Sequence, residues 1–170
     1  MVSPVPLTFS PQCGIVNTDF DGTFRLRLLA STDFALRVLM RLAAEPGLMR
    51  NTQVLSEQVG VPRNHLHKIV QDLVEAGFVR TLRGARGGVA LARPAMEIRL
   101  GAVVRHLERG QAMVECFRPD GGACCMSPDC QLRSVLRRAR EGFLDVLDGV
   151  TLADCALRST TQPAAQAAHP

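Results

Sequence analysis

Apolar side chains recur with a helical period three times between Ser31 and Gly77. In STDFALRVLMRLAAEP, Phe34, Leu36, Val38, Leu39 and Leu42 make one face of a first helix, which Ser31 or Thr32 can cap and Pro46 and Gly47 end. TQVLSEQVG predicts a short second helix, with Val54, Leu55 and Val59 inward and Gly60 closing it. VPRNHLHKIVQDLVEAG predicts a third, opened by Pro62, burying Leu66, Ile69, Val70, Leu73 and Val74 and stopping at Gly77. The period then shortens: Phe78, Val79, Thr81 and Leu82 run into a glycine-rich turn, and Val89, Ala90 and Leu91 resume before Pro94, which reads as a hairpin. A fourth helix runs through Leu100, Val103, Val104 and Leu107, with His106 read as a packed or surface histidine. Finally, Leu132, Leu136, Ala139, Phe143, Val146 and Val150 alternate spacings of four and three, a heptad seam that seeks a partner helix.

These elements predict a mainly α chain with a small β-hairpin wing: a winged helix-turn-helix followed by a long dimerisation helix. The expected organisation is an extension at 1–24 without regular structure, a DNA-binding domain at 25–95, a thiol loop and dimerisation helix at 96–157, and a polar tail at 158–170. A helix, a short helix, a tight glycine turn and a helix with a polar leading end form the helix-turn-helix arrangement, in which the first turns of the last helix face base edges. Here those turns carry Arg63, Asn64, His65, His67 and Lys68. Arginine donates twice to guanine and asparagine pairs with adenine, so the set suits major-groove reading of double-stranded DNA. Any exposed helix end is polar, and it is the hairpin that strengthens the reading. Its tip, RGARGG, puts Arg83 and Arg86 where a wing meets the phosphate backbone or the minor groove.

Composition sharpens this only a little. The chain has 170 residues, 46% of them hydrophobic, with 20 Lys plus Arg against 16 Asp plus Glu, a net charge of +4. Such a mild excess does not by itself mark a nucleic-acid binder. Lys68 is the only lysine, and a high-GC genome explains this preference for arginine better than phosphate recognition does. No apolar run approaches the ~20 residues of a membrane span, and the opening residues make a poor signal peptide, so a cytoplasmic, membrane-free protein is expected. Without a nucleophile and base in sequence association, a dinucleotide fingerprint or clustered carboxylates, no enzyme is expected.

The remaining chemistry lies in ECFRPDGGACCMSPDC, where Cys116, Cys124 and Cys130 stand as Cys-x7-Cys-x5-Cys with Cys125 beside Cys124. Clustered thiols in a reducing compartment point to metal or redox chemistry before disulfides. Three soft donors on a flexible loop suit an iron-sulfur cluster, with zinc and plain or redox-active thiols as alternatives. Adjacent side chains point apart, so only one of Cys124 and Cys125 is expected to be a ligand. Cys13, far from the group, reads as an incidental cysteine.

TDFALRVLMRLA, VPRNHLHKIVQDLVEAGFVRTLRGARGGVALARP, IRLGAVVRHLE and the three-cysteine loop with CQLRSVLRRAREGFLDVLDGVTLAD together resemble the iron-sulfur winged-helix repressor family, from about Arg25 to Leu157. VRHLE, VECF and TLAD are most similar to its nitric-oxide-sensing members. The resemblance implies a homodimer on a palindromic operator, nitric oxide as the signal, and a 4Fe-4S or 2Fe-2S cluster on Cys116, Cys124 and Cys130. It also implies a fourth, oxygen ligand from Asp33 of the partner subunit; an acidic residue near a helix start is otherwise explained by the helix dipole. An iron-responsive regulator of the same family and a cluster-free thiol-redox transcription factor are the alternative functions.

Overall fold

The computed structural model describes residues 28–84, 87–126 and 129–156; Cys13, Arg86 and the segments expected at 1–24 and 158–170 lie outside them. The described residues form two compact units. Gly110–Leu136 makes one, and Leu28–Arg109 with Arg137–Ala156 makes the other.

The larger unit is built on α1 (Ala30–Ala43), α2 (Thr52–Val59) and α3 (Arg63–Glu75), followed by the antiparallel strands β1 (Val79–Leu82) and β2 (Gly88–Leu91) and by α4 (Leu100–Leu107). Val38, Leu39 and Leu42 of α1, Leu55 and Val59 of α2, and Leu66, Ile69 and Leu73 of α3 share one core with Val79 and Val89 of the hairpin and Val103 of α4. Each fully buried side chain of this size contributes about 1.5–3 kcal/mol, which holds the three helices against each other and leaves their opposite faces free for solvent. The predicted winged helix-turn-helix is therefore present, with the hairpin register Val79 to Leu91 and Leu82 to Gly88.

Two inward assignments fail. Val54 and Val74 are each 40% exposed. Both sit one position from a buried residue, Leu55 and Leu73, and on a helix one position is a rotation of about 100° away from the core. The start of α1 differs as well. The helix begins at Ala30 after Leu29, and neither Ser31 nor Thr32 caps it. A carboxylate from the end of α4 does so instead: Glu108 Oε1 accepts the Leu29 amide at 2.9 Å and the Thr32 hydroxyl at 2.5 Å. Thr32 is wholly buried and already inside the helix, so its hydroxyl is committed to a tertiary partner.

Arg50, in the link between α1 and α2, exchanges both backbone hydrogen bonds with Val89 at 2.8 Å, adding a one-residue third strand beside β2. Gly88 is required there, because a Cβ would strike the Arg50 carbonyl. Arg50 also pairs with Glu45. The Arg105 guanidinium grips both oxygens of Asp148, at 2.6 and 2.5 Å, and holds that carboxyl below its usual range. Gly101 lies so close to Asp148 that a Cβ would collide with the carboxylate. α4 and the C-terminal end of α5 (Gln131–Asp148) are thereby locked together.

α5 runs 18 residues, ending two residues before Val150, the last position of the expected seam. Leu132 and Val146 are 59% and 69% exposed, and Ala139 is exposed too. The residue α5 buries is Leu144, which lies off the seam.

Candidate functional site

α2 ends on Gly60 in the left-handed conformation, φ +67°, and Val61 and Pro62 carry the chain directly into α3. The Ser56 hydroxyl donates to the Val61 carbonyl at 2.6 Å, and the Val61 amide donates back to Ser56 at 3.1 Å, which fixes this turn. Pro62, extended at φ −54°, is a natural residue just before a first helical turn because it needs no amide partner there. With Leu66, Ile69 and Val70 anchored below, Arg63, Asn64, His65, His67 and Lys68 all stand exposed on the leading turns of α3. The structure brings these five residues together on one helix end, as the sequence pattern predicts.

Arg83 is exposed where β1 leads into the tip of the wing, and Gly84 takes φ +110°, open to glycine alone without strain. Arg80, also exposed, lies on β1. Next to the strands in sequence, Arg93 stacks over the Phe78 ring at 5.1 Å, and the His106 ring meets Phe78 edge-on at 6.1 Å. His106 is therefore a packing residue, in contact also with Arg109.

The smaller unit holds Cys116, Cys124, Cys125 and Cys130, while Cys155 belongs to the larger. Cys116 lies on a 3-10 turn, Glu115–Phe117, and is buried; Cys124 is half-buried, Cys125 is exposed, and Cys130 immediately precedes α5. Cys116, Cys124, Cys130 and Cys155 are free thiols. The chain between Cys116 and Cys124 is folded back on itself. Glu115 Oε1 accepts the Ala123 amide at 3.2 Å, and Asp120 Oδ1 accepts the Gly122 amide at 3.0 Å. Arg118 donates to both oxygens of Asp120, at 3.1 and 2.8 Å, and reaches Glu115 at 3.5 Å. The Arg118 guanidinium, with the Gly122 amide, pulls the Asp120 carboxyl down to about 2.

Among the described residues no three His, Cys, Asp or Glu side chains stand together as an ion-binding group. Cys116, Cys124 and Cys130 thus share one unit without forming a ready cage. As a donor set they fit an iron-sulfur cluster: free, soft sulfur donors on a largely irregular chain. Asp33 sits in the other unit, exposed on the first turn of α1, where it accepts from Arg37 at 2.6 Å. The residues that sequence reasoning missed are Glu115, Arg118 and Asp120. Their signal was the acidic and basic spacing between the first two thiols, ECFRPDGGAC, which is legible only once the loop is seen to close.

Comparison with known proteins gives a consistent picture. A family model described as Rrf2, an iron-dependent transcriptional regulator, matches residues 28–157. The chain is similar to the HTH-type transcriptional regulator NsrR of Geobacillus kaustophilus, 42% identical over 130 residues, 76% of this chain and 88% of that protein. It is 41% identical over 130 residues to NsrR of Bacillus subtilis, covering 76% of this chain and 89% of the relative. Among solved structures, CymR, the global cysteine regulator of B. subtilis, superposes with a TM-score of 0.63 at 26% identity, over 78% of this chain and 97% of that one. IscR of T. potens gives 0.61 at 25% identity, over 76% and 85%.

Proposed function

The chain belongs to the Rrf2 family of transcriptional regulators, and from that premise we propose that it is a DNA-binding repressor whose operator occupancy is set by an iron-sulfur cluster responding to nitric oxide. The observation that carries the DNA-binding part is the exposed group Arg63, Asn64, His65, His67 and Lys68 on the leading turns of α3, anchored in the same unit as the wing. Arg63 and Asn64 read guanine and adenine edges, while Lys68, Arg83 and Arg86 hold phosphates. The reader acts as a homodimer. Two copies of α3 must lie one duplex turn apart, ~34 Å, to meet both halves of a palindrome, and losing one half-site forfeits the gain from linked binding. The exposed Leu132, Ala139 and Val146 seam supports that dimer, because an apolar stripe of this period pairs with a second helix.

Cys116, Cys124 and Cys130 would hold the cluster, and Asp33 of the partner subunit would supply an oxygen ligand after releasing Arg37. When bound, such a cluster supplies iron with affinity for nitric oxide. Asp33 lies one residue beyond Thr32, the residue that Glu108 fastens at the start of α1. A change in what Asp33 binds is therefore felt by the helix that packs on α2 and α3. Cytoplasmic residence and the absence of enzymatic activity belong to the same reading; among the described residues no helix is long and apolar enough to cross a membrane.

The test is anaerobic. Purified protein should be brown, bind an operator fragment, and release it when nitric oxide is added; colourless, iron-free protein that binds and responds equally well would overturn the proposal. The family description as iron-dependent favours one second reading, in which the signal is iron supply. A chelator arm separates the two, since release by chelator without release by nitric oxide selects the iron-responsive function.

A further inference from the structure

Eight residues after Cys116 the chain presents two thiols in succession, and the fold of the loop bears on which of them faces Cys116. Eight extended residues span up to roughly 26 Å, so nothing in the spacing alone brings Cys116 and Cys124 together. The loop is instead closed at its base. Glu115 and Ala123, the residues immediately before the two thiols, are joined by the hydrogen bond from the Ala123 amide to Glu115 Oε1 at 3.2 Å. Gly122, at φ +58°, lies so close to the Glu115 carbonyl that a Cβ would overlap it. The exposed Arg118 and Asp120 pair buttresses the same closure through the Gly122 amide.

We infer that Glu115 is a positioning residue that fixes the register of this loop and so selects Cys124, not Cys125, as the thiol set beside Cys116. The inference rests on the cluster reading for its purpose and not for its geometry. Cys124 and Cys125 leave the backbone in different directions, and Cys124 is half-buried whereas Cys125 is exposed in the turn that follows. A slip of one residue would exchange them. Two features oppose that slip: the carboxylate that accepts the amide of residue 123 while also pairing with Arg118, and the glycine required where the backbones touch.

The full-length, metal-free protein tests this directly. Treated with diamide, which takes one hydrogen from each of two thiols and leaves a disulfide, the wild type should give Cys116–Cys124 over Cys116–Cys125 by on the order of tenfold, the ratio one charge-assisted hydrogen bond confers. Fragment-ion mapping locates the bond. Glu115→Ala and Gly122→Ala should bring the two products near parity. Glu115→Gln, which keeps an accepting oxygen, should retain most of the preference. Wild-type protein without preference, or Glu115→Ala with the wild-type ratio, overturns the inference. After anaerobic reconstitution, Cys125→Ser should leave the visible circular dichroism unchanged and Glu115→Ala should alter it; an identical spectrum for Glu115→Ala counts against the assignment. If the wild type takes up no cluster, the proposed function falls while the disulfide ratio still decides the role of Glu115.

Discussion

Removing the carboxylate of Glu108 is the most direct way to ask what secures the start of α1. In the native chain one oxygen serves two donors, the Leu29 amide and the Thr32 hydroxyl, and Thr32 has no exposure to water. Glu108→Ala therefore deletes a tertiary helix cap, worth about 1 kcal/mol, and leaves a buried hydroxyl without its acceptor, worth about 1–3 kcal/mol. The hydroxyl can recover part of this by turning back to a carbonyl one turn earlier. The expected loss is about 2–3 kcal/mol. Glu108→Gln, which keeps an acceptor and loses the charge, should cost about 1 kcal/mol. Thr32→Val should cost less than Glu108→Ala, because the carboxylate keeps Leu29 and can reach water. Urea denaturation of reduced, metal-free protein measures all three. With a slope of about 1–3 kcal/mol/M, Glu108→Ala should lower the midpoint by roughly 1 M at unchanged slope. A double-mutant cycle isolates the pair, with a coupling of about 1–2 kcal/mol expected. A loss below about 0.5 kcal/mol for Glu108→Ala, the usual range of a surface change, would refute the idea that this residue caps the helix.

Further outcomes follow from the same geometry. Arg63→Ala or Asn64→Ala should cost about 1–3 kcal/mol on the preferred operator and relax base preference at one position, whereas Arg83→Ala should weaken binding to all sequences and reduce the salt slope by about 1; titrations on operator and scrambled duplexes at two salt concentrations check this. Gly101→Ala should disrupt the Arg105–Asp148 grip through the collision at Asp148 and lower the thermal midpoint, while Gly142→Ala, in open space on α5, should not. Val146→Glu should abolish dimers in analytical ultracentrifugation if the exposed α5 seam is the dimer contact. For Asp120 the folded pKa of about 2 lies below the ordinary carboxylate value of 3.8, so its contribution is complete above that ordinary value and disappears as pH falls toward 2. Hydrogen exchange at Gly122 should accordingly stay protected at pH 5 and lose protection relative to neighbouring amides near pH 2.

What the sequence disclosed follows from how local each signal is. The helix-turn-helix was legible because the turn depends on Gly60 and Pro62, residues whose backbone preferences are their own, and because Leu66, Ile69 and Leu73 keep a strict helical period. Val54 and Val74 were misplaced because each adjoins a core residue, and hydrophobicity alone does not say which of two neighbours faces inward. The cap of α1 was misread for a different reason: Ser31 and Thr32 satisfy the local rule, yet the acceptor comes from Glu108, far along the chain. Likewise the backbone exchange between Arg50 and Val89 has no sequence period to announce it. The three thiols were conspicuous as a group, but the closure that orders the first two depends on an amide, a carboxylate and a glycine that no cysteine spacing reveals.

The Arg50 exchange has a consequence for target length. Because the hairpin is stitched to the segment that leads into α2, it cannot swing like a free flap, and under the proposed function the stretch of duplex between the bases met by Arg63 and the groove met by Arg83 would become a fixed ruler. One subunit should then tolerate neither an inserted nor a deleted base pair inside its half-site, leaving the central spacer of the operator as the dimension that changes between the two copies can adjust.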